Sequence, residues 1–155
     1  MANRGLLLTI TEPPPAMEEE FNAWYDDEHL PERLAIPGFR SARRWTWQKS
    51  YLATYELDSP GVLNSPQYLS RYENPTPWTK RCLGRVVVFK RWACEQLGSE
   101  DPHPGTKAMI VGFDERAFSP PGMLQARRFA ASSGESITLY ELAEAAAGAY
   151  ELYKS

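Results

Sequence analysis

A glutamate and a histidine, Glu28 and His29, lie side by side at the end of an aromatic segment of the chain. Imidazole exchanges protons near neutral pH, and a neighbouring carboxylate can orient it or share the transfer. At the helical advance of about 100° per residue, both side chains share one face with Phe21, Trp24 and Tyr25. This stripe predicts proton-transfer chemistry at the rim of an apolar cavity that binds substrate through the three aromatic residues.

The same residues have a structural alternative of equal weight. Charged groups around a helix end that Pro31 terminates often only cap the helix and pair with one another, as Glu32 and Arg33 would do here. In the catalytic interpretation, the carbonyl end of the helix favours the protonated imidazole. His29 would then act as a general acid or bind an anion.

A strand predicted over Gly38–Gln48 brings two arginines to the sheet. Strict alternation places Arg43 on one face with Phe39 and Trp45, and Arg44 on the other face. A guanidinium flanked by aromatic rings can bind a carboxylate or an enolate oxygen through its fork of donors. Arg43 is therefore the first candidate for such a contact and Arg44 the second, with a structural salt bridge as an equally supported alternative.

Further aromatic residues are candidates for substrate contacts. Tyr51 and Tyr55 share a face of the next predicted strand, where their phenol groups could donate hydrogen bonds to a substrate. Trp78 lies in a short predicted helix near the same sheet. Packing in the core or at its rim is the favoured alternative for all three, because aromatic residues dominate cores.

The order of predicted elements in the first half is β-α-β-β-α-β, the ferredoxin-like arrangement of an α+β protein. Apolar runs, aromatic and β-branched segments and their Pro and Gly boundaries define these elements. The strands span Gly5–Thr11, Gly38–Gln48, Tyr51–Leu57 and Arg85–Trp92, and the helices span Ala16–Leu30, Val62–Tyr72 and Pro77–Leu83.

An internal repeat indicates that this unit is duplicated. The segment Pro37–Trp45 matches Pro121–Phe129 in its PG and ARR residues, and a Tyr-Glu-Leu triplet follows each copy. Residues 1–97 are predicted to form the complete half with the site, 98–105 a linker and 106–155 a degenerate half packed against it as one domain. The second copy is a β-ββα unit without the first helix, with predicted strands over Lys107–Phe113, Gly122–Ala131 and Ser136–Leu142, an alanine-rich helix to about Tyr153 and no fourth strand.

The WYDDEHLPER segment at 24–33, with PGF at 37–39 and ARRW at 42–45, resembles EthD-like proteins of the dimeric α/β-barrel superfamily in their WYxxEHLPE version. The resemblance implies a sheet that closes against a second sheet into a barrel with a pocket inside. The second sheet usually comes from another subunit, so a homodimer is expected, although the second half is a candidate to supply part of it. In such proteins the helix histidine commonly points at the pocket, a role that falls on His29.

Composition excludes several classes of function. With 17 Lys and Arg against 20 Asp and Glu, the net charge of −3 offers no basic surface for nucleic acid. No apolar run is long enough to cross a membrane or to act as a signal peptide, which makes the cytoplasm the expected location. With two histidines, two separated cysteines and no nucleotide-binding glycine motif, neither a metal site nor a nucleotide cofactor is expected.

Three functions are compatible with these residues. The leading hypothesis is a cofactor-independent lyase or isomerase acting on a small aromatic, lactone or polyketide-like carbonyl compound. His29 would move the proton, Glu28 would orient it, and Arg43 with Tyr55 would hold the developing oxyanion. The alternatives are a non-catalytic protein that binds a small molecule, and a haem protein with His29 as its axial ligand.

Overall fold

Eight antiparallel strands form the framework of the protein, and the computed structural model describes residues 3–113, 119–144 and 153–154. The predicted strands are all present with boundaries shifted by a few residues, as is usual for strand ends. The strands are β1 (Gly5–Glu12), β2 (Phe39–Trp47), β3 (Ser50–Leu57), β4 (Val88–Gln96), β5 (Ala108–Gly112), β6 (Met123–Ala131), β7 (Ser136–Leu142) and β8 (Tyr153–Lys154).

The helices all belong to the first half within the described part of the chain, and they cover one face of its sheet. Serine and threonine N-caps begin two of them, since Ser65 accepts from the Tyr68 amide and Thr76 from the Thr79 amide. The helical segments are a 3₁₀ turn (Pro15–Met17), α1 (Glu18–Trp24), a π-helical turn (Tyr25–His29), α2 (Leu30–Leu34), a second 3₁₀ turn (Pro60–Asn64), α3 (Pro66–Glu73) and α4 (Pro77–Leu83).

The two halves close one barrel within a single chain. The first half has the strand order β4-β1-β3-β2 and the second β8-β5-β7-β6, which is the same ferredoxin-like order repeated. The sheets join at two seams, where β2 pairs with β8 and β4 pairs with β6. The α+β fold with a duplicated ferredoxin-like unit is thus confirmed. A second subunit is not needed to complete the barrel, and the homodimer stays a prediction.

The repeat is visible in the backbone as well as in the sequence. Gly38 and Gly122 precede β2 and β6 with positive φ angles of 98° and 76°, a conformation that favours glycine. Two residues after its glycine each strand carries a bulge, at Arg40 and at Leu124. The bulge corrects the predicted alternation, because it turns Phe39 to the helix side of the sheet, away from the face of Arg43.

The second half differs from its prediction near its end. Lys154 pairs with Thr46 of β2 and with Ala108 of β5, so a short fourth strand is present and the expectation that the chain ends before one is corrected. Two residues are too few to give a strand pattern in the sequence. The predicted alanine-rich helix falls mainly on residues 145–152, outside the described residues.

The predicted first helix also continues past its expected end. Pro31 was expected to stop it, yet α2 runs on to Leu34 with Pro31 in its first turn. The backbone accommodates the proline by widening to a π turn, in which the Leu30 amide bonds the Tyr25 carbonyl five residues back. As a consequence His29 lies in the middle of a continuous helical segment and not at its carboxyl end.

Inward side chains from both sheets fill the middle of the barrel, including Leu8, Leu52, Phe129 and Leu139, each fully buried. A cavity of about 650 Å³ lies at one end of the barrel and is lined by Ile10, Trp92 and Tyr153 among others. At the opposite end the remaining space is only about 20 Å³. Among the described residues no helix is long and apolar enough to span a bilayer.

A buried ion cluster holds that end of the barrel. The Arg127 side chain, 1% exposed, donates to both carboxylate oxygens of Glu56 at 2.8 and 3.1 Å and to Glu141 at 3.1 Å. Glu56 and Glu141 are the same position in the two copies of the Tyr-Glu-Leu triplet. The segment between the halves lies over this cluster, where the His103 amide donates to the Glu141 carboxylate at 3.3 Å. One cation therefore bridges an acid from each half.

Replacing Arg127 should destabilise the protein strongly. Arg127→Met leaves two buried carboxylates without their cation, and breaking a buried pair in this way costs about 3–5 kcal/mol. The free energy of unfolding in urea measures the loss. The matched control is Arg128→Met on the exposed face of β6, which should change stability by less than about 0.5 kcal/mol. Equal effects of the two substitutions would show that the cluster does not hold the halves together.

Candidate functional site

A cavity of about 260 Å³ lies between the first sheet and its helices, on the side of the sheet opposite the barrel interior. Leu7 and Thr9 of β1 line its floor, and the C-terminal part of α4 forms one wall. A concave, mostly apolar cavity with a few converging polar groups is the default candidate for a ligand site. Its aromatic lining consists of Tyr25, Tyr55, Tyr68, Tyr72 and Phe89.

His29 lines this cavity and is 6% exposed. Its ring stacks on Trp24, with centroids 4.5 Å apart and an interplanar angle of 27°, and meets the edges of Tyr25 and Tyr55 at 5.0 and 6.3 Å. The Nδ1 atom is buried and has no hydrogen-bond partner among the described residues. The imidazole is thus held in place by rings, which leaves a nitrogen for a ligand.

Burial, together with the nearby Arg33 and Arg44 guanidinium groups, lowers the pKa of His29 to about 3. The imidazole is therefore neutral at physiological pH. This corrects the expectation of a protonated histidine at a helix end, because the helix continues past His29 and brings cations to it in place of free carbonyl groups. A neutral imidazole can accept a proton or a hydrogen bond, and it is not an anion-binding cation.

Glu28 does not orient His29. Its carboxylate accepts a hydrogen bond from the Thr76 hydroxyl at 2.7 Å and a longer one from Thr79 at 3.4 Å. These two threonines begin α4, so Glu28 joins the first helix to the N-terminus of the fourth. Thr79 also accepts from the Trp24 indole at 3.1 Å. Glu28 thus positions the ring on which His29 stacks, and it acts on the histidine only through that contact.

Tyr55 lies across the cavity from the helix and is 1% exposed. Burial raises the pKa of its phenol well above the usual value, and the neighbouring Tyr25 raises it further. The hydroxyl therefore stays protonated, and its oxygen is buried without a hydrogen-bond partner among the described residues. Tyr55 is thus a potential donor within the same cavity as His29, as the sequence predicts.

Arg43 and Trp45 are on the other face of the sheet, inside the barrel, which separates both from His29. The Arg43 guanidinium stacks over the Trp45 ring at 4.2 Å and donates to the Thr106 carbonyl at 3.2 Å. The Trp45 indole in turn donates to Thr54 at 3.2 Å. The grouping of Arg43 with His29 is therefore corrected, because strand alternation puts Arg44 and not Arg43 toward the helices.

Arg44 packs against the outer side of the first helix and does not line the cavity. It stacks on the Tyr25 ring at 4.3 Å, donates to Asn22 at 2.6 Å and pairs with Asp26 at 3.1 Å. Tyr51 lies beside it and bonds Asn22 at 3.2 Å and the Glu18 carboxylate. These contacts attach α1 to the sheet.

The other predicted aromatic residues pack against the residues that line the cavity, without lining it themselves. Phe21 is 1% exposed and packs on Trp24 and Tyr25, with centroids 5.8 and 5.1 Å apart. Trp78 packs partly buried against the same cluster from α4. Neither residue, nor Trp24 itself, lines the cavity, so of the predicted aromatic set only Tyr25 and Tyr55 do so directly.

Four cationic residues that the sequence reasoning did not select line the cavity. Helical spacing in the sequence could have identified two of them. Arg33 is one helical turn beyond His29, and Arg71 lies between Tyr68 and Tyr72 on a helix. Arg33 was not predicted as a lining residue because the helix was expected to end at Pro31, before it. The cationic lining residues are Arg33, Arg71, Lys80 and Arg91, and the lining contains no Asp or Glu.

The described residues provide no evidence for a metal site or for an activated thiol. No three His, Cys, Asp or Glu side chains cluster to hold a metal in the described part of the chain. Burial raises the pKa of the Cys94 thiol to about 12 and that of Cys82 to a lesser extent, so neither is an activated nucleophile. The cavity beside His29 has a volume of about 260 Å³, below the roughly 300–1,000 Å³ typical of drug-sized ligands, which favours a ligand smaller than haem.

Stability should depend on pH through His29. Between its ordinary pKa of 6.5 and about 3, the unfolded chain binds a proton at His29 that the folded chain does not. The free energy of unfolding is therefore highest above this pH window. It falls as the pH drops through the window, by about 1.4 kcal/mol per pH unit. Between pH 7 and pH 5 the wild type should lose about 1–2 kcal/mol more than His29→Gln.

Urea unfolding at a series of pH values measures this difference. His103→Gln, which removes the other histidine from the segment between the halves, is the comparison variant for the loss of one imidazole. A wild-type slope in His29→Gln would mean that the imidazole is not held neutral by the fold.

Comparisons with known proteins identify the fold alone. No protein-family model and no curated protein matches the sequence. Among solved structures, a protein from Fusobacterium nucleatum subsp. nucleatum ATCC 25586 named "Putative monooxygenase" superposes with a TM-score of 0.59 at 7% identity, covering 92% of this chain and 76% of that one. This similarity shows the fold alone, so the resemblance to EthD-like proteins and to the dimeric α/β-barrel superfamily stays a hypothesis.

Proposed function

We propose that the protein is a small enzyme that removes a proton next to a carbonyl group of a compact aromatic, lactone or polyketide-like compound, as a lyase or an isomerase does. The observation that carries this proposal is the neutral, buried His29 in one cavity with the protonated Tyr55 phenol. A base and a hydrogen-bond donor in one apolar cavity are the two groups that enolate formation needs.

In this mechanism His29 accepts the proton through a ring nitrogen, while Tyr55 donates to the carbonyl oxygen on which negative charge develops. Trp24 and Tyr25 fix the plane of the imidazole, so little reorganisation is needed when the proton moves. Glu28 and Thr79 hold Trp24 and thereby act as positioning residues. Of the two donors predicted to hold the oxyanion, Arg43 lies inside the barrel, so Tyr55 on the cavity side of the sheet would hold it alone.

The low pKa of His29 limits the range of substrates. A histidine with a lowered pKa is a weaker base than a free imidazole, so it favours substrates whose proton is activated by neighbouring groups. Such protons occur on a carbon between two carbonyl groups, on a benzylic carbon next to a carbonyl, and on phenols. The compounds favoured are therefore 1,3-dicarbonyl, arylpyruvate-like or phenolic.

A second candidate reaction follows from the same base and from the name of the structural neighbour. The carbanion or phenolate that His29 generates could react with dioxygen, so that an activated methylene group becomes a carbonyl group and the second oxygen atom leaves as water. The similarity to the Fusobacterium protein concerns fold alone, at 7% identity. Dioxygen uptake in an oxygen electrode, with and without substrate, separates this reaction from simple proton transfer.

Removing the base should abolish catalysis while the fold is kept. With phenylpyruvate as the probe, trapping of the enol by borate reports proton removal in the ultraviolet. The His29→Gln variant should lose about 10²–10⁴-fold in rate, and Tyr55→Phe about 10²-fold. His103→Gln is the matched control and should keep the wild-type rate, with circular dichroism verifying the fold of each variant.

The outcomes separate the alternatives. An unchanged rate in His29→Gln would reject the histidine as the base. If the wild type accelerates no reaction of phenylpyruvate, 1,3-dicarbonyl or lactone probes but binds them, with little loss in His29→Gln, the protein is instead a non-catalytic small-molecule binder.

A further inference from the structure

We infer that the ligand of this cavity is a compact organic acid, whose carboxylate is held by Arg33 and Arg91 while its ring or chain fills the apolar part. The inference rests on the proposed function and names the substrate class within it. It comes from the charges around the cavity and from one tyrosine that arranges two of them.

The charge around the cavity has one sign. Its lining contains four cationic side chains and no carboxylate. The chain as a whole is acidic, with a net charge of −3, so this one-sided lining runs against the average of the protein. Among the described residues no carboxylate pairs with Arg71, Lys80 or Arg91, whereas other arginines such as Arg81 and Arg127 have acidic partners. Such a field attracts an anion.

Tyr68 holds two of these cations at one wall of the cavity. The Arg33 guanidinium lies over its ring at 5.3 Å, and Arg91 donates to its hydroxyl at 3.0 Å. Both arginines therefore contact a neutral partner, which orients them without neutralising them. Two guanidinium groups arranged around one ring can bind the two oxygens of a carboxylate from two sides.

Arg33 gives the strongest reason to expect an anion, since it is 7% exposed. The carboxylate nearest to it is that of the adjacent Glu32, at 3.5 Å, a long contact for an ion pair. Buried charges are normally closely paired and hydrogen-bonded, and Arg33 faces the cavity with this long contact as its ion pair. A ligand carboxylate would give it a closer partner.

The position of Arg33 also fixes where the acid group lies relative to the reacting carbon. Arg33 lies in α2, four residues after His29, which is the last residue of the π-helical turn. Residues at this spacing share one helical face, with their Cβ atoms about 5–6 Å apart. A carboxylate at Arg33 and a proton at His29 must then belong to neighbouring parts of one small molecule. The cavity of about 260 Å³ limits that molecule to one or two rings.

Binding of a matched acid and amide tests the charge requirement. By isothermal titration calorimetry, 2-naphthoate should bind at least tenfold more tightly than 2-naphthamide, which has nearly the same shape without the charge. Arg91→Gln, at the exposed end of the pair, should weaken 2-naphthoate severalfold and leave 2-naphthamide unchanged. Arg81→Gln on α4 lies outside the cavity lining and should change neither. Equal affinity for the two probes, or binding of neither at millimolar concentration, would overturn the inference.

A second comparison separates this inference from the proposed function. Phenylpyruvate should be a better substrate than its methyl ester by at least tenfold in kcat/KM, with the difference reduced in Arg91→Gln. If both are converted equally and both rates depend on His29, the acid requirement is wrong and the proton-transfer function stands. If 2-naphthoate binds selectively but no probe reacts, the acid requirement stands and the enzymatic function is wrong.

Discussion

Each four-stranded sheet of this protein has two faces to cover, and edge pairing within the chain decides what covers them. Because β2 pairs with β8 and β4 pairs with β6, the second half of the chain occupies the inner face of the first sheet. Side chains from both halves then form one buried apolar cluster inside the barrel. The cavity that contains His29 lies on the outer face, under helices that the first half alone supplies among the described residues.

This arrangement places the buried ion cluster and the candidate site on opposite sides of the first sheet. Arg43, Arg127 and the two repeated glutamates point inward, where charges are paired or hydrogen-bonded and hold the end of the barrel. On the outer face three lining residues, Thr9, His29 and Tyr55, each have a buried polar atom without a partner. An unsatisfied buried group costs about 1–3 kcal/mol, so their grouping at one cavity is a feature that a bound ligand explains.

The proposed catalytic group and the proposed ligand charge depend on the same helix. A π turn absorbs Pro31 and lets one helical segment carry Tyr25, His29 and Arg33 toward the cavity. The aromatic rings exclude water from the imidazole and keep it neutral, and the adjacent arginine reinforces that effect. A bound carboxylate would reduce the influence of Arg33, which links recognition of the acid to the basicity of His29.

The sequence by itself determined the repeated unit, the strands and the stripe that contains His29, because these depend on local periodicity, on the glycine turns and on the recurrence of a nine-residue segment. The sequence analysis also placed His29 and Tyr55 in one candidate site, and both line the same cavity. Only the tertiary structure decided that Arg43 and Trp45 lie inside the barrel, that Glu28 binds Thr76 in place of His29, and that β8 closes the second sheet. These outcomes depend on a bulge, on contacts between distant helices and on a two-residue strand, none of which leaves a periodic pattern in the chain.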